Sequence, residues 1–435
     1  MKSDSLRNLI AYAAIKDWDI NHYDVETAFL YGSLREDIYM EQPPGFIQEH
    51  ENKILVCKLK QAIYGLKQSG RVWYETLNKY LEKCNLKKFK SDPCIFRYKK
   101  ENSELMLGLH VDDMIIINSD NDILDEVIRM ISKQFKLKRS DNLNNILGIE
   151  INITPDIISM NQQKFIEEIL RRFKMSDCHS VSTPIDINQN LDNCKDSKLI
   201  DSKKYQEILG SIMYIMTKTR PDLAYAISVL SKYSKEPHEI HMTALKRILR
   251  YLKGTRDYAL NYKKGSGSLK CFVDANWRDG HEGQRSTSGY LFMFGQNLIS
   301  WTSKTQTNVS LSTCDSELSA LTEAIKRGIY LQVFLKELCN LKDDIIKTPV
   351  YCDNKSAISL GLNGATSNRS NHMIRKVAFI NEQINNNFFD LEYVNTNEQL
   401  ADFLTKALSK PKLHKILNEL NLSTQIVGES VIQFR

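Results

Sequence analysis

Two acids stand side by side at Asp112 and Asp113 inside "LGLHVDDMIIIN" (107–118), a run that is otherwise almost wholly apolar. Burying one unpaired carboxylate is costly, and two neighbours also repel each other. A divalent cation would supply the missing counter-charge, and magnesium takes hard oxygen ligands while leaving room for waters and substrate phosphates. A third carboxylate would let two metals share the site, which stabilises both oxygens of an in-line phosphoryl displacement. Asp24, in "NHYDVETAFLYG" and 88 residues before Asp112, offers one. The plain alternative for an Asp-Asp pair is an exposed turn, but its apolar flanks favour the metal.

A second set of acids lies toward the C-terminus. Asp274 sits within "LKCFVDANW", Asp353 ends "TPVYCDN", and Asp402 lies in the helix-like "EQLADFLTKAL". Glu317 falls at the start of a helical pattern whose candidate N-caps are Ser312 and Thr313. Their spacings of 43, 36 and 49 residues are not diagnostic. Acids at strand ends and helix starts do, however, converge at one sheet edge, as two-metal hydrolysis of a phosphodiester requires. Taken singly, each reads as a solvent-exposed acid.

The elements that must hold these acids alternate in type. "RNLIAYAAIKDW" has helical spacing, "DINHYDV" alternates as a strand, and the stretch around Asp112 reads as a hairpin. "KQAIYGLKQSGRVWYETLNKYLEKCNL" is helix-like with a break at Ser69-Gly70. From about 156 the pattern is mostly helical, and after "KKGSGS" (263–268) strands and helices alternate as in a small α/β domain. The expected division is 1–155, 156–262, 263–420 and a tail, 421–435. In "TALKRILRYLKGTR" Leu245, Ile248, Leu249 and Leu252 share one helical face, while Lys246, Arg250 and Lys253 share another with Arg247 nearby. That second face reads either as a solvated surface or as a basic track along a duplex backbone. His238 and His241 in "PHEIHM" read as capping or surface residues.

Composition sets the frame. The 435 residues are 42% hydrophobic and 26% charged, ordinary for a globular protein of two or three domains. A net charge of +6 permits a polyanionic partner. Nine scattered cysteines without a CxxC pair point to reduced thiols, and no signal peptide or membrane-length apolar run is apparent. The expectation is an intracellular protein.

Longer stretches carry a resemblance. "YDVETAFLYGSLREDIYMEQPPGF" (23–46), "KLKQAIYGLKQSGRVWYETL" (58–77), "HVDDMIII" (110–117) and "ILGIEI" (146–151) closely resemble the reverse transcriptase of copia-type retrotransposons. Residues 209–255 look like the segment that follows it there. "VDANWRDG" (273–280), "RSTSGYLF" (285–292), "ISWTSKTQ" (299–306), "LSTCDSELSA" (311–320), "VYCDNKSAI" (350–358) and "EQLADFLTKAL" (398–408) resemble the RNase H domain of the same elements.

The resemblance implies an α/β and α+β multidomain protein: a reverse-transcriptase palm, a helical thumb or connecting segment, and an RNase H-like α/β domain. It implies Asp24, Asp112 and Asp113 as a metal-binding polymerase triad, with Gly65 and Gln68 bordering the nucleotide pocket and "ILGIEI" positioning the primer end. Asp274, Glu317, Asp353 and Asp402 become the catalytic, metal-binding acids of RNA hydrolysis. The implied cofactor is Mg²⁺ or Mn²⁺, two ions per site. The implied partners are an RNA template, a DNA primer, RNA–DNA hybrid, dNTPs and the rest of the Pol polyprotein, in a cytoplasmic particle or the nucleus, with no membrane. His110 replaces the family's usual Tyr, Asn371 its common Lys and Ile374 its common Asp, so His372 reads as a packing or surface residue. The fingers segment that precedes Asp24 in the family is expected to be missing. Two rival expectations are a non-enzymatic relic that binds nucleic acid, and an RNase H with an inactive polymerase.

Overall fold

The computed structural model describes residues 1–51, 53–140, 143, 146–192, 194, 197–277, 285–341, 346–364 and 371–424. The expected elements at 278–280, 368–370 and 425–435 lie outside the described residues. Two compact units emerge: Met1 with Trp18–Leu143, and Lys2–Asp17 with Asn144–Arg435. The first helix, α1 (Ser3–Lys16), therefore belongs to the second unit although it precedes the first in sequence.

The first unit is built on a six-stranded antiparallel sheet. Its strands are β1 (Asp19–Val25), β2 (Lys87–Lys88), β3 (Ile95–Lys100), β4 (Ser103–His110), β5 (Asp113–Asn118) and β6 (Leu137–Arg139), in the order β6-β1-β5-β4-β3-β2. Met114, Ile115, Ile116 and Ile117 of β5 are all buried, as suits a strand interior to the sheet. Helices α2 (Ser69–Lys83) and α3 (Asn121–Ser132) cover one face, burying Trp73, Leu77, Leu81, Ile123, Val127 and Ile131 against Leu107, Met114 and Ile116. The expected break at Ser69-Gly70 is absent, since both residues lie in the first turn of α2; the chain departs from helix earlier, where Gly65 adopts φ +98°, a left-handed conformation that no right-handed helix accommodates.

In the second unit, helices α4 (Gln163–Arg172), α5 (Ser202–Lys218), α6 (Ala224–Leu230) and α7 (Glu239–Gly254) form one core. Leu245, Ile248, Leu249 and Leu252 of α7 are fully buried there, as their spacing predicts. Strands β7 (Glu150–Ile153), β8 (Ile157–Asn161) and β9 (Tyr258–Lys263) form a sheet completed by Leu422–Thr424, so the expected tail opens as a strand paired with β9. A five-stranded sheet follows from β10 (Leu269–Asn276), β11 (Thr287–Phe294), β12 (Asn297–Thr305), β13 (Thr348–Cys352) and β14 (Phe389–Tyr393). Its order is β12-β11-β10-β13-β14, with the first three antiparallel and β13 and β14 parallel to β10. This is the RNase H-like arrangement. Helix α8 (Thr313–Cys339) packs on β10 and β11, and α9 (Lys355–Asn363) and α10 (Asn371–Asn385) complete the layer.

"EQLADFLTKAL" is not the α-helix expected. It forms two short 3-10 turns, Thr396–Glu398 and Leu400–Leu404. The reason is local: Gln399 accepts from the Ala401 N–H and donates to the Val273 carbonyl at 2.9 Å, anchoring the chain to β10 where a helix would need to turn freely. All nine cysteines are free thiols. Among the described residues no helix is long and apolar enough to cross a membrane.

Candidate active sites

Strand pairing assembles the first cluster. Asp24 on β1 and Asp113 on β5 are direct partners across the antiparallel ladder, which puts both side chains on one face. Asp112 occupies the tight turn before β5, and its carbonyl accepts from the Val25 N–H at 3.0 Å. The turn depends on Val111 at φ +59°, a conformation that costs a β-branched residue strain. Trp73 compensates: its indole N–H donates to the Val111 carbonyl at 2.6 Å. Burial raises the Asp24 pKa, and the charges of Asp112 and Asp113 raise it further. His22, two residues before Asp24 and so on the same face of β1, meets Asp113 through Nε2 at 2.8 Å. The Tyr64 hydroxyl reaches Asp112 Oδ2 at 3.3 Å, while its ring packs edge-on against Phe29. Burial and then Asp112 push the phenol above its ordinary pKa. His110 is the cross-strand partner of Asp113.

Gly65 follows Tyr64 in the chain at φ +98°, and a Cβ built on it would meet nothing within 4 Å. Gln68 instead lines a groove of about 540 Å³ with Arg35, Arg71 and Lys79.

The second cluster gathers acids from four elements. Asp274 lies near the end of β10, Glu317 in the second turn of α8, Asp353 directly after β13, and Asp402 in the Leu400–Leu404 turn. Ser312 caps α8 by accepting from the Asp315 N–H at 3.2 Å, and Glu317 Oε1 accepts from the Ala275 N–H, also at 3.2 Å. Asp353 accepts from the Thr396 hydroxyl at 2.8 Å. Burial pushes Asp274 up to about 6, opposed by Lys406 and reinforced by Asp402 and Asp353. Glu317 is driven well above its usual range by burial and then by Asp274 and Asp353. Glu317, Asp353 and the Cys352 sulfur lie within 4.8 Å of one another, but burial and then the Glu317 charge keep that thiol protonated.

Asp402 is paired with two lysines. Lys406 approaches Oδ1 to 2.7 Å and Lys412 approaches Oδ2, so each buried oxygen faces an ammonium group. The Thr405 hydroxyl donates to Asp274, and Lys406 Nζ lies 3.6 Å from the same carboxylate. Burial pulls the Lys406 pKa down, but Asp274 and Asp402 outweigh it and hold the ammonium above its ordinary value.

Comparison with known proteins settles the lineage. Residues 1–187 match the reverse transcriptase (RNA-dependent DNA polymerase) family. The chain is 36% identical to the retrovirus-related Pol polyprotein from transposon TNT 1-94 of Nicotiana tabacum, over 98% of this chain and 32% of that protein. It is 30% identical to the putative transposon Ty5-1 protein of Saccharomyces cerevisiae, over 65% of this chain and 92% of that protein. The chain belongs to the copia-type retrotransposon Pol family. It spans about a third of the length of the tobacco polyprotein. Among solved structures it is similar to a foamy viral protease-reverse transcriptase in complex with dsDNA, at 14% identity and TM-score 0.45, over 89% of this chain and 70% of that one.

Other residues singled out in this copia-type sequence have different work. Arg250 donates to the His179 carbonyl and Lys253 to the Cys178 carbonyl, each at 2.7 Å. Arg247 binds Thr183 at 3.0 Å and Asp186 at 3.2 Å. Lys246 is exposed and, among the described residues, meets no hydrogen-bonding or ionic partner. Three of the four side chains of the expected basic track thus also fasten the loop before α5. His241 accepts from the His238 N–H at Nδ1 and meets the Leu191 carbonyl at Nε2, so both nitrogens are engaged although Cys194 lies 3.6 Å away. His372 is exposed and contacts Asn308. Sequence reasoning missed His22, Tyr64 and Trp73 at the first cluster and Thr405, Lys406 and Lys412 at the second. Two of them left a readable signal: His22, two residues before Asp24 on a strand, and Lys406, four residues after Asp402.

Proposed function

We propose that the two clusters are separate phosphoryl-transfer sites. The first extends a DNA primer on an RNA template with dNTPs; the second hydrolyses the RNA strand of an RNA–DNA hybrid. The observation that carries this reading is that each cluster draws acids distant in sequence into one place, with raised pKa values where their charges meet.

The donor set fits Mg²⁺ or Mn²⁺, since carboxylate oxygens are hard ligands and the protonated Cys352 thiol is a poor one. Asp24, Asp112 and Asp113 would hold the ions at the first site, and Asp274, Glu317, Asp353 and Asp402 at the second. Bound there, two ions would neutralise the carboxylates and lower the barrier to in-line attack on phosphorus. His22 orients Asp113, Tyr64 steadies Asp112, and Trp73 aims the hairpin through Val111. At the second site Thr405 and Thr396 fix the orientations of Asp274 and Asp353.

The test uses the full chain, a primed RNA template and a labelled hybrid, each with Mg²⁺ and with EDTA. Asp274→Asn keeps volume and removes one charge, so hybrid cleavage should fall at least ~100-fold while primer extension persists. Asp112→Asn should do the reverse. A folded Asp274→Asn protein that cleaves as fast as the parent would place the hydrolytic site elsewhere.

A further inference from the structure

The acids of the second site already have cations of their own. Lys406 Nζ lies 2.7 Å from Asp402 and 3.6 Å from Asp274, bridging two of the four acids. Among the described residues Lys412 pairs with Asp402 alone. Asp402 is wholly buried, and the Lys406 and Lys412 ammonium groups hold one oxygen each. The Lys406 side chain is 35% exposed and follows the Leu400–Leu404 turn, outside any helix, so its flexible stem can carry the ammonium out to solvent.

We infer that Lys406 is a tethered counter-cation on the Asp274–Asp402 edge, and that a divalent cation entering that edge displaces it. This rests on the hydrolytic reading of the second site. Lys406 is a positioning residue here: in the metal-free protein it keeps the acids from repelling one another, and on metal entry its charge opposes the incoming ion. Removing the charge therefore has two effects of opposite benefit. The metal-free fold loses stability, while the divalent cation binds more tightly. A lysine that merely braced Asp402 would show the first effect without the second. Lys412, on α11 (Lys410–Glu419), is the internal comparison, because it does not reach Asp274.

The experiment is Mn²⁺ and Mg²⁺ titration by calorimetry on the full chain carrying Asp112→Asn and Asp113→Asn, so that heats report the second site. Thermal melting in EDTA accompanies it. Lys406→Met keeps length and removes charge; on the order of tenfold tighter Mn²⁺ binding is expected, from the loss of a like charge a few ångströms away. Its melting temperature in EDTA should fall below the parent's. Lys406→Gln tests the same prediction if the Met protein does not fold, and Lys412→Met should tighten binding less. Equal or weaker Mn²⁺ binding by a folded Lys406 variant overturns the inference while leaving the hydrolytic reading intact. No divalent binding by the parent overturns both.

Discussion

Arg7 offers a stringent test of how the second unit is held together. It sits on α1, almost fully buried, with Nε donating to the Ile299 carbonyl at 2.8 Å. Its Nη1 donates to the Thr217 and Lys218 carbonyls at 2.7 and 3.0 Å, which lie at the end of α5 where carbonyls have no partner within the helix. Its Nη2 pairs with Asp4, which also accepts from Ser300 and Arg327. The guanidinium stacks 3.9 Å from the Trp301 ring centre. Burial pulls Arg7 down to about 10, so its desolvation is only partly repaid. Arg7→Met keeps an apolar stem on Trp301 but leaves three carbonyls and one carboxylate without that donor. At about 1 kcal/mol or more per stranded acceptor, and about 3–5 kcal/mol for breaking a buried ionic network, the loss should be about 3–5 kcal/mol. For a unit of this size that lowers the melting temperature by roughly 5–8 °C. Thermal melting of the full chain, with hydrogen exchange on peptides from 2–17 and 297–305, reads the effect. Those peptides should lose protection while β4 and β5 keep theirs. A melting shift under about 1 °C would show that α1 is a passenger.

The remaining predictions concern the two clusters. Asp274 sits near 6 against an ordinary 3.8, so between those values the folded chain binds a proton that the unfolded chain has lost. Metal-free stability should therefore fall as pH rises from about 4 through 6 and then level, by on the order of 3 kcal/mol at most. Correspondingly, the melting gain from Mg²⁺ should be larger at pH 7.5 than at pH 5, and the reverse order would refute the raised Asp274. Trp73→Phe removes the donor that holds Val111, so primer extension should drop about tenfold or more while hybrid cleavage is unchanged. Parallel losses in both assays would instead mark Trp73 as a general core residue.

The local chemistry of the sites was legible in the sequence because it is written in short patterns. Two acids flanked by apolar residues mark where charge meets a core, here half-buried at the turn before β5, and alternating strands fix which side chains share a face. That logic reaches Asp112, Asp113 and Asp24, and it reaches Ser312 as the cap that starts α8. The buried face of α7 follows from helical spacing alone. The basic face did not, because whether a lysine meets a phosphate or its own chain depends on which loop folds over it. His241 shows the same dependence, its ring nitrogens taken by a backbone amide and a carbonyl whose positions no local pattern encodes. The place of α1 was also decided only by tertiary structure. Its helical spacing says that it is a helix, but its burial on every side and the carbonyls of residues 217, 218 and 299 that accept from Arg7 come from the rest of the unit. Likewise the pairing of Lys406 with both Asp402 and Asp274 needs a strand and a 3-10 turn that lie 128 residues apart. Short-range periodicity determines which face of an element is buried; long-range packing decides what that face meets.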